Sequence, residues 1–169
     1  TNCGTSGTVE EGCIKMRELT GTGSITNSDL SFPGADVVEI VNTAGPLLTL
    51  NVNNSTFRDS QASAAGNTGL QARSQGTANM VLNVTNSSFL RIRTVGLQAT
   101  AINSASNDVD VSNSTFDTGA GTMIGLDLDA DNTGKLVFNV QNKPRIWSSN
   151  GPAINVFGGT NATIDGRIN

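Results

Sequence analysis

Asp127, Asp129 and Asp131 stand at alternating positions in the segment GLDLDADNTG (125–134), the richest acidic site of the chain. Carboxylates at i, i+2 and i+4 put hard oxygen donors on one face of a strand, and oxygen is what Ca²⁺ takes. The EF-hand pattern is not met. Asn132 stands at its sixth position in place of glycine, and Phe138 at its twelfth in place of a bidentate glutamate. A solvated acidic face is the plainer reading; a calcium site, or part of a carbohydrate groove, is the functional one.

Other reactive chemistry is sparse. The chain has no histidine and no tyrosine, so His-based acid–base catalysis, a Ser-His-Asp triad and a His-ligated metal are excluded. Cys3 and Cys13, ten positions apart, read as a short-loop disulfide made in an oxidising compartment, against the alternative of two reduced thiols. Two cysteines alone do not satisfy zinc. Trp147 offers a ring to stack on a sugar, although packing under a turn is the expected role. Glycan-acceptor triplets begin at Asn53, Asn54, Asn83, Asn86, Asn113 and Asn161, as a composition this rich in Asn, Ser and Thr produces by itself.

The whole chain gives the setting. Gly, Asn, Ser and Thr make up 75 of 169 residues, and charged residues only 14% with a net charge of −4. That balance argues against nucleic acid and anionic membranes as partners. No apolar run is long enough to span a membrane. The chain opens on Thr1, which reads as a mature secreted form or a segment of a longer protein.

The elements that must position these residues repeat. SITNSDL (24–30), NVNNSTF (51–57), NVTNSSF (83–89), DVSNSTF (110–116) and NVQNKPRI (139–146) share one pattern. An apolar residue, any residue and Asn are followed by polar residues and a large apolar one. Their first apolar positions are Ile25, Val52, Val84, Val111 and Val140, and a degenerate sixth copy starts at Ile164. The steps are 27, 32, 27, 29 and 24 residues. A second alternating run recurs in DVVEIV (36–41), GLQARS (69–74), GLQATA (96–101), GLDLDA (125–130) and PAINVF (152–157). Period-two alternation in short runs separated by Gly, Asn, Asp and Ser means strands and turns, and no segment carries a helical period. Strands recurring at this spacing predict an all-β parallel solenoid of about five to six coils.

The register predicts stacks. Leu50, Leu82, Val109 and Phe138 point inward, with Val52, Val84, Val111 and Val140 as the next column. Phe57, Phe89 and Phe116 form a third, with Leu30 above and Ile146 below. Val38, Leu70, Leu97, Leu126 and Ile154 face in from the other strand, followed by Ile40, Ala72, Ala99, Leu128 and Val156. Asn27, Asn54, Asn86, Asn113 and Asn142 form a structural column that caps a turn and links neighbouring coils; an internal column of this kind would bar a glycan. Glu39, Gln71, Gln98, Asp127 and Asn155 make an exposed polar strip suited to solubility or to glycan binding. Gln98 and Thr100 neighbour Asp127 and Asp129 on one side, Asn155 and Phe157 on the other, with Arg73 two coils from Asp129.

The N-S-T-F motif after an alternating strand, with a G-L-x-A strand about fifteen residues later, resembles the repeats of right-handed parallel β-helix proteins. The likeness is to repeat-rich bacterial surface and secreted proteins, including autotransporter passengers and polymorphic outer-membrane proteins, and covers roughly residues 18–168. The chain lacks their regular G-G-A-I tetrapeptide, and its coils are fewer than in pectate-lyase-like enzymes. The resemblance implies the right hand of the helix, a bacterial cell-surface or extracellular location, and a coil-encoding repeat in place of a site.

The expected organisation is an N-terminal cap over residues 1–17 carrying the Cys3–Cys13 pair, then β-helix repeats over 18–169. The final IDGRIN (164–169) reads as an edge left for a next domain or as a truncation. The expected function is a structural or adhesive module with no cofactor, apart from the calcium alternative. Its partners are neighbouring domains or identical subunits at the solenoid ends, and a surface glycan or matrix ligand. The competing expectation is a carbohydrate-binding or polysaccharide-degrading domain of the same fold. Such an enzyme needs clustered carboxylates and a basic partner, and no basic residue neighbours the aspartate trio, although the insertions 58–68 and 117–123 are placed to contribute.

Overall fold

The computed structural model describes residues 3, 12–45, 48–60, 67–117, 124–142, 144–148 and 151–169. The first coil comprises β1 (Ile14–Arg17), β2 (Gly21–Thr26) and β3 (Asp29–Ser31); the second β4 (Val38–Asn42), β5 (Leu48–Asn53) and β6 (Thr56–Arg58). The third is β7 (Leu70–Ser74), β8 (Asn79–Thr85) and β9 (Ser88–Leu90); the fourth β10 (Val95–Ile102), β11 (Ser106–Ser112) and β12 (Thr115–Asp117). The fifth is β13 (Ile124–Asp131), β14 (Lys135–Gln141) and β15 (Arg145–Trp147), after which β16 (Ile154–Gly158) and β17 (Thr163–Ile168) begin another. Equivalent strands stack in parallel into three sheets: β1-β4-β7-β10-β13-β16, β2-β5-β8-β11-β14-β17 and β3-β6-β9-β12-β15. These are the first, second and third faces of a parallel β-solenoid of about five turns, and the described residues contain no helix.

The repeated motif is not one strand but two strands and the corner between them. Its alternating half forms the second face and its S-T-F end the short third-face strand. The motif Asn is the corner. Asn27, Asn54, Asn86, Asn113 and Asn142 have φ of 51°, 50°, 50°, 49° and 61°, a left-handed conformation that Asn tolerates better than other side-chain-bearing residues. Each of the first four also spans coils through its own N–H, as Asn54 does to the Thr85 carbonyl at 3.2 Å.

The predicted columns stand in register. Leu50 pairs with Leu82, Leu82 with Val109 and Val109 with Phe138; Val52, Val84, Val111 and Val140 follow two residues on. Leu30, Phe57, Phe89, Phe116 and Ile146 align on the third face. The three rings stack with centroids 4.7 and 4.6 Å apart and planes 4° from parallel. They are wholly buried. The first-face columns also align, Leu70–Leu97–Leu126 and Ala72–Ala99–Leu128 among them. The glycine of G-L-x-A admits this packing. A Cβ at Gly96 would lie 2.6 Å from the Gly125 carbonyl and 2.9 Å from the Phe116 ring.

Two boundaries differ from expectation. Ile14–Arg17, placed in the cap, is already the first rung of the first face, paired with β4. Residues 1, 2 and 4–11 of the expected cap lie outside the described residues. Cys3 and Cys13 are joined as a disulfide, with Cα atoms 4.8 Å apart. At the other end the sixth copy does not start at Ile164: Val140 pairs with Ile168, and Ile164 pairs with Leu136. Gly166 stands opposite Phe138, so the column of Leu50, Leu82, Val109 and Phe138 has no side chain there, as at Gly23 in the first coil.

Candidate functional site

The first face carries the polar strip. Its strands alternate because apolar residues fill the core on one side, which leaves Lys15, Glu39, Gln71, Gln98, Asp127 and Asn155 in one outward column. The side chains bond along the stack. Gln71 Nε2 donates to Gln98 Oε1 at 3.0 Å, and Gln98 Nε2 donates to Asp127 Oδ2 at 3.0 Å. Asn155 Nδ2 donates to Asp127 Oδ1 at 2.7 Å. Lys15 Nζ approaches Glu39 at 3.1 Å. Both oxygens of Asp127 are therefore engaged by amides of adjacent coils, and the side chain is buried between them.

The next outward column runs Arg73, Thr100, Asp129 and Phe157. Arg73 lies two rungs from Asp129, with its guanidinium against the Gln75 side-chain amide. Asp129 Oδ1 is shielded from solvent and accepts no hydrogen bond. Burial first, then the charges of Asp127 and Asp131, push its carboxyl up to about 6. A shallow depression of about 260 Å³ is bounded by Gln71, Arg73, Gln98, Thr100, Ile102 and Asp129. Asp131 turns to the corner, where its Oδ1 accepts the Asn132 N–H at 2.7 Å. The three aspartates thus share a face without converging, and the described residues hold no cluster of three acidic, Cys or His side chains able to hold a metal.

The other faces carry features that the repeat pattern did not reveal. On the third face Arg58 binds Asp29 through Nε and Nη2 at 2.8 and 2.9 Å and reaches Asp59 at 2.8 Å; Asp59 in turn binds Arg91 Nη2 at 2.9 Å. Hydrogen bonds from Arg58 hold the Asp29 carboxyl below the usual range, and those from Arg91 and Arg58 do the same for Asp59. On the second face Asp108 is pushed up by burial and by Asp110. It borders a depression of about 360 Å³ with Asp110, Asn139, Asp165 and Arg167. At the corner, the Ser after each of the first four motif Asn residues forms a second ladder. The N–H groups of Ser28, Ser55 and Ser87 each donate to the next serine's Oγ at 3.2 Å. The signal was present as the recurring N-S pair.

The Asn column itself is exterior, its side chains exposed and not internal. Asn54 donates to Asn27 at 2.7 Å and Asn113 to Asn86 at 2.6 Å, but Asn86 turns to Asn53 at 3.2 Å. The ladder therefore runs in pairs. Trp147 does not pack under a turn: it lies on the outer third face opposite Asp117 and is 66% exposed. In a three-residue strand whose middle residue, Ile146, faces the core, both flanking side chains point out. Of the insertions expected to add side chains, 61–66 and 118–123 lie outside the described residues.

No family model, curated protein or solved structure matches the chain.

Proposed function

We propose that this protein is an extracellular structural module: a stiff β-solenoid segment of a larger surface assembly, with the first face as its adhesive surface. The observation that carries the reading is the bonded strip Gln71–Gln98–Asp127–Asn155. It is a flat array of amides and carboxylate held rigid by its own hydrogen bonds. Preorganised polar groups of this kind suit a hydroxyl-rich ligand, because little ordering entropy remains to be lost on binding. The disulfide fits an oxidising, extracytoplasmic setting. The likeness of the N-S-T-F repeats to autotransporter passengers and polymorphic outer-membrane proteins supports display on a bacterial surface. The reading requires no cofactor.

The test is a binding screen of the purified chain against polysaccharides and extracellular-matrix proteins, with and without Ca²⁺. Saturable binding without turnover, weakened by Gln98→Ala, supports the reading. No binding to any ligand, or binding indifferent to the first face, removes the adhesive part of it.

One observation favours a second reading, a carbohydrate-active domain. Asp129 has a shielded, unpartnered oxygen and a carboxyl pushed up to about 6, a poise that suits proton transfer near neutral pH. Polysaccharide cleavage lost in Asp129→Asn would establish it. Stimulation of that cleavage by Ca²⁺ would bring the aspartate trio into the mechanism.

A further inference from the structure

Two opposite charges on the first face lack an ion pair. Arg73 makes none among the described residues, and its guanidinium lies against the Gln75 side-chain amide. Asp129 makes none either, and its Oδ1 accepts no hydrogen bond. The two stand in one outward column, one rung to either side of Thr100. Two rungs of ~4.8 Å separate them, and within the chain they do not meet. A two-fold axis lying in the face at Thr100 changes that. It carries Arg73 of one copy onto Asp129 of another, and does so twice.

From this placement we infer that the partner of the first face is the first face of a second copy, the two packed sheet on sheet about a two-fold axis along β10. Rotation about β10 keeps each position along the strand and inverts the order of the coils. Gln98 and Thr100 then meet their own counterparts. Gln71 lies across from Asp127, and Glu39 across from Asn155, an amide against a carboxylate in each case. Val41 lies across from Phe157, apolar against apolar. No like charges are opposed. Packed sheets lie about 10 Å apart with their strands nearly aligned, a gap that suits a long guanidinium opposite a short carboxylate.

Among such two-fold axes, only the one along β10 sets Arg73 against Asp129. An axis along β7 opposes Arg73 to itself, and one along β13 opposes Asp127 and Asp129 to themselves. Midway between β7 and β10, Glu39 meets Asp127. Midway between β10 and β13, Arg73 meets Phe157 and Asp129 meets Thr100, so neither charge is answered. An axis along the stack sets Asp127 against Asp129 and Lys15 against Arg17. The contact lies on the side of the solenoid and closes at two. Five rungs at ~4.8 Å by three outward side chains at ~6.8 Å cover on the order of 400 Å² per partner, the range of weak, transient pairs. Copies displayed side by side would strengthen it through effective concentration. The inference rests on the reading of the first face as adhesive, and the two fail separately. A monomer whose first face binds a glycan overturns the pairing alone, and a dimer that binds no glycan removes only the hydroxyl-rich ligand.

The test is sedimentation equilibrium of the 169-residue chain at concentrations up to about 1 mM, where a pair of this size is populated. The expected result is reversible exchange between the 17.4 kDa monomer and twice that mass. Arg73→Asp and Asp129→Arg each oppose like charges twice across the axis and are expected to weaken association at least about tenfold. In an equimolar mixture of the two variants both cross-axis pairs carry opposite charges again, and a mixed dimer is expected to form. Circular dichroism checks that each variant is folded. Arg73 is exposed, so Arg73→Asp leaves the core untouched and decides alone where Asp129→Arg folds poorly. A wild-type monomer at about 1 mM overturns the inference. So does an open-ended ladder of oligomers, a dimer that Arg73→Asp leaves unchanged or strengthens, or a pair of folded variants that stay apart on mixing.

Discussion

A single carboxyl shows how the stack reshapes residue chemistry. Asp129 is unremarkable in sequence, one of three alternating aspartates, yet flanking coils shield it and its carboxyl is pushed up to about 6 by burial, then by Asp127 and Asp131. A carboxyl raised in the folded state opposes folding when charged. The penalty is full above that value and fades as the pH falls to the ordinary carboxylate range, where both states are protonated. Asp129→Asn is thus expected to raise the melting temperature at pH about 8, with the gain over wild type vanishing near pH 3 to 4. Asp29 and Asp59 move oppositely and lose their contribution as pH falls, but they do so in both proteins and cancel in the difference. Backbone strain is equally local. Asn54 holds φ of 50°, so Asn54→Ala should cost about 1 kcal/mol or more in denaturant unfolding, while Asn54→Gly should cost less because glycine enters that region freely. Equal costs would mean that the Asn54–Asn27 amide bond, and not the corner, is what the residue supplies.

At the scale of the strand, packing is set between coils. Phe89 lies between two rings at 4.7 and 4.6 Å, and Phe89→Ala is expected to cost about 3–5 kcal/mol. Gly96→Ala adds only a methyl, but one that meets the Gly125 carbonyl and the Phe116 ring, and it should cost about 1–3 kcal/mol. Chemical denaturation measures both; a neutral Gly96→Ala would show that the coil spacing gives way. Most of this architecture could be read from the residues alone. Alternation named the inward columns, and the recurring Asn fixed their register through five coils. What escaped depends on neighbours that no period reports. Ile164 and Ile168 lie four residues apart on the same side of a strand, and with Gly166 between them the alignment slipped from one to the other. Trp147 escapes the pattern because its strand has only three residues, too few to show alternation. Alternation puts the acidic trio on one face, but whether an aspartate there is bonded, shielded or turned to a corner depends on which amide or threonine the adjacent coil offers.

For the molecule as a whole, the two ends differ. Cys3 and Cys13 tie the first coil, and closing a loop of this length stabilises by about 3 kcal/mol through the unfolded state. Reduction should therefore lower the thermal midpoint and, in hydrogen exchange, loosen β1 to β3 before the central coils; uniform loosening would mean that the solenoid unfolds as one unit. The corners differ too. The turn from second to third face is two residues long in the first four coils, Asn then Ser, whereas between the third face and the next coil 4 to 11 residues intervene. Sequence length thus varies at one corner and is held constant at another. The segment from Asn86 to Ser112 runs from one Asn corner to the position just before the next. Its excision joins Thr85 to Asn113 and places an Asn corner where one already stood. The molecule is in this sense counted in turns: its gene can gain or lose length in whole coils by duplication or deletion, and each product inherits the same exterior at a different reach.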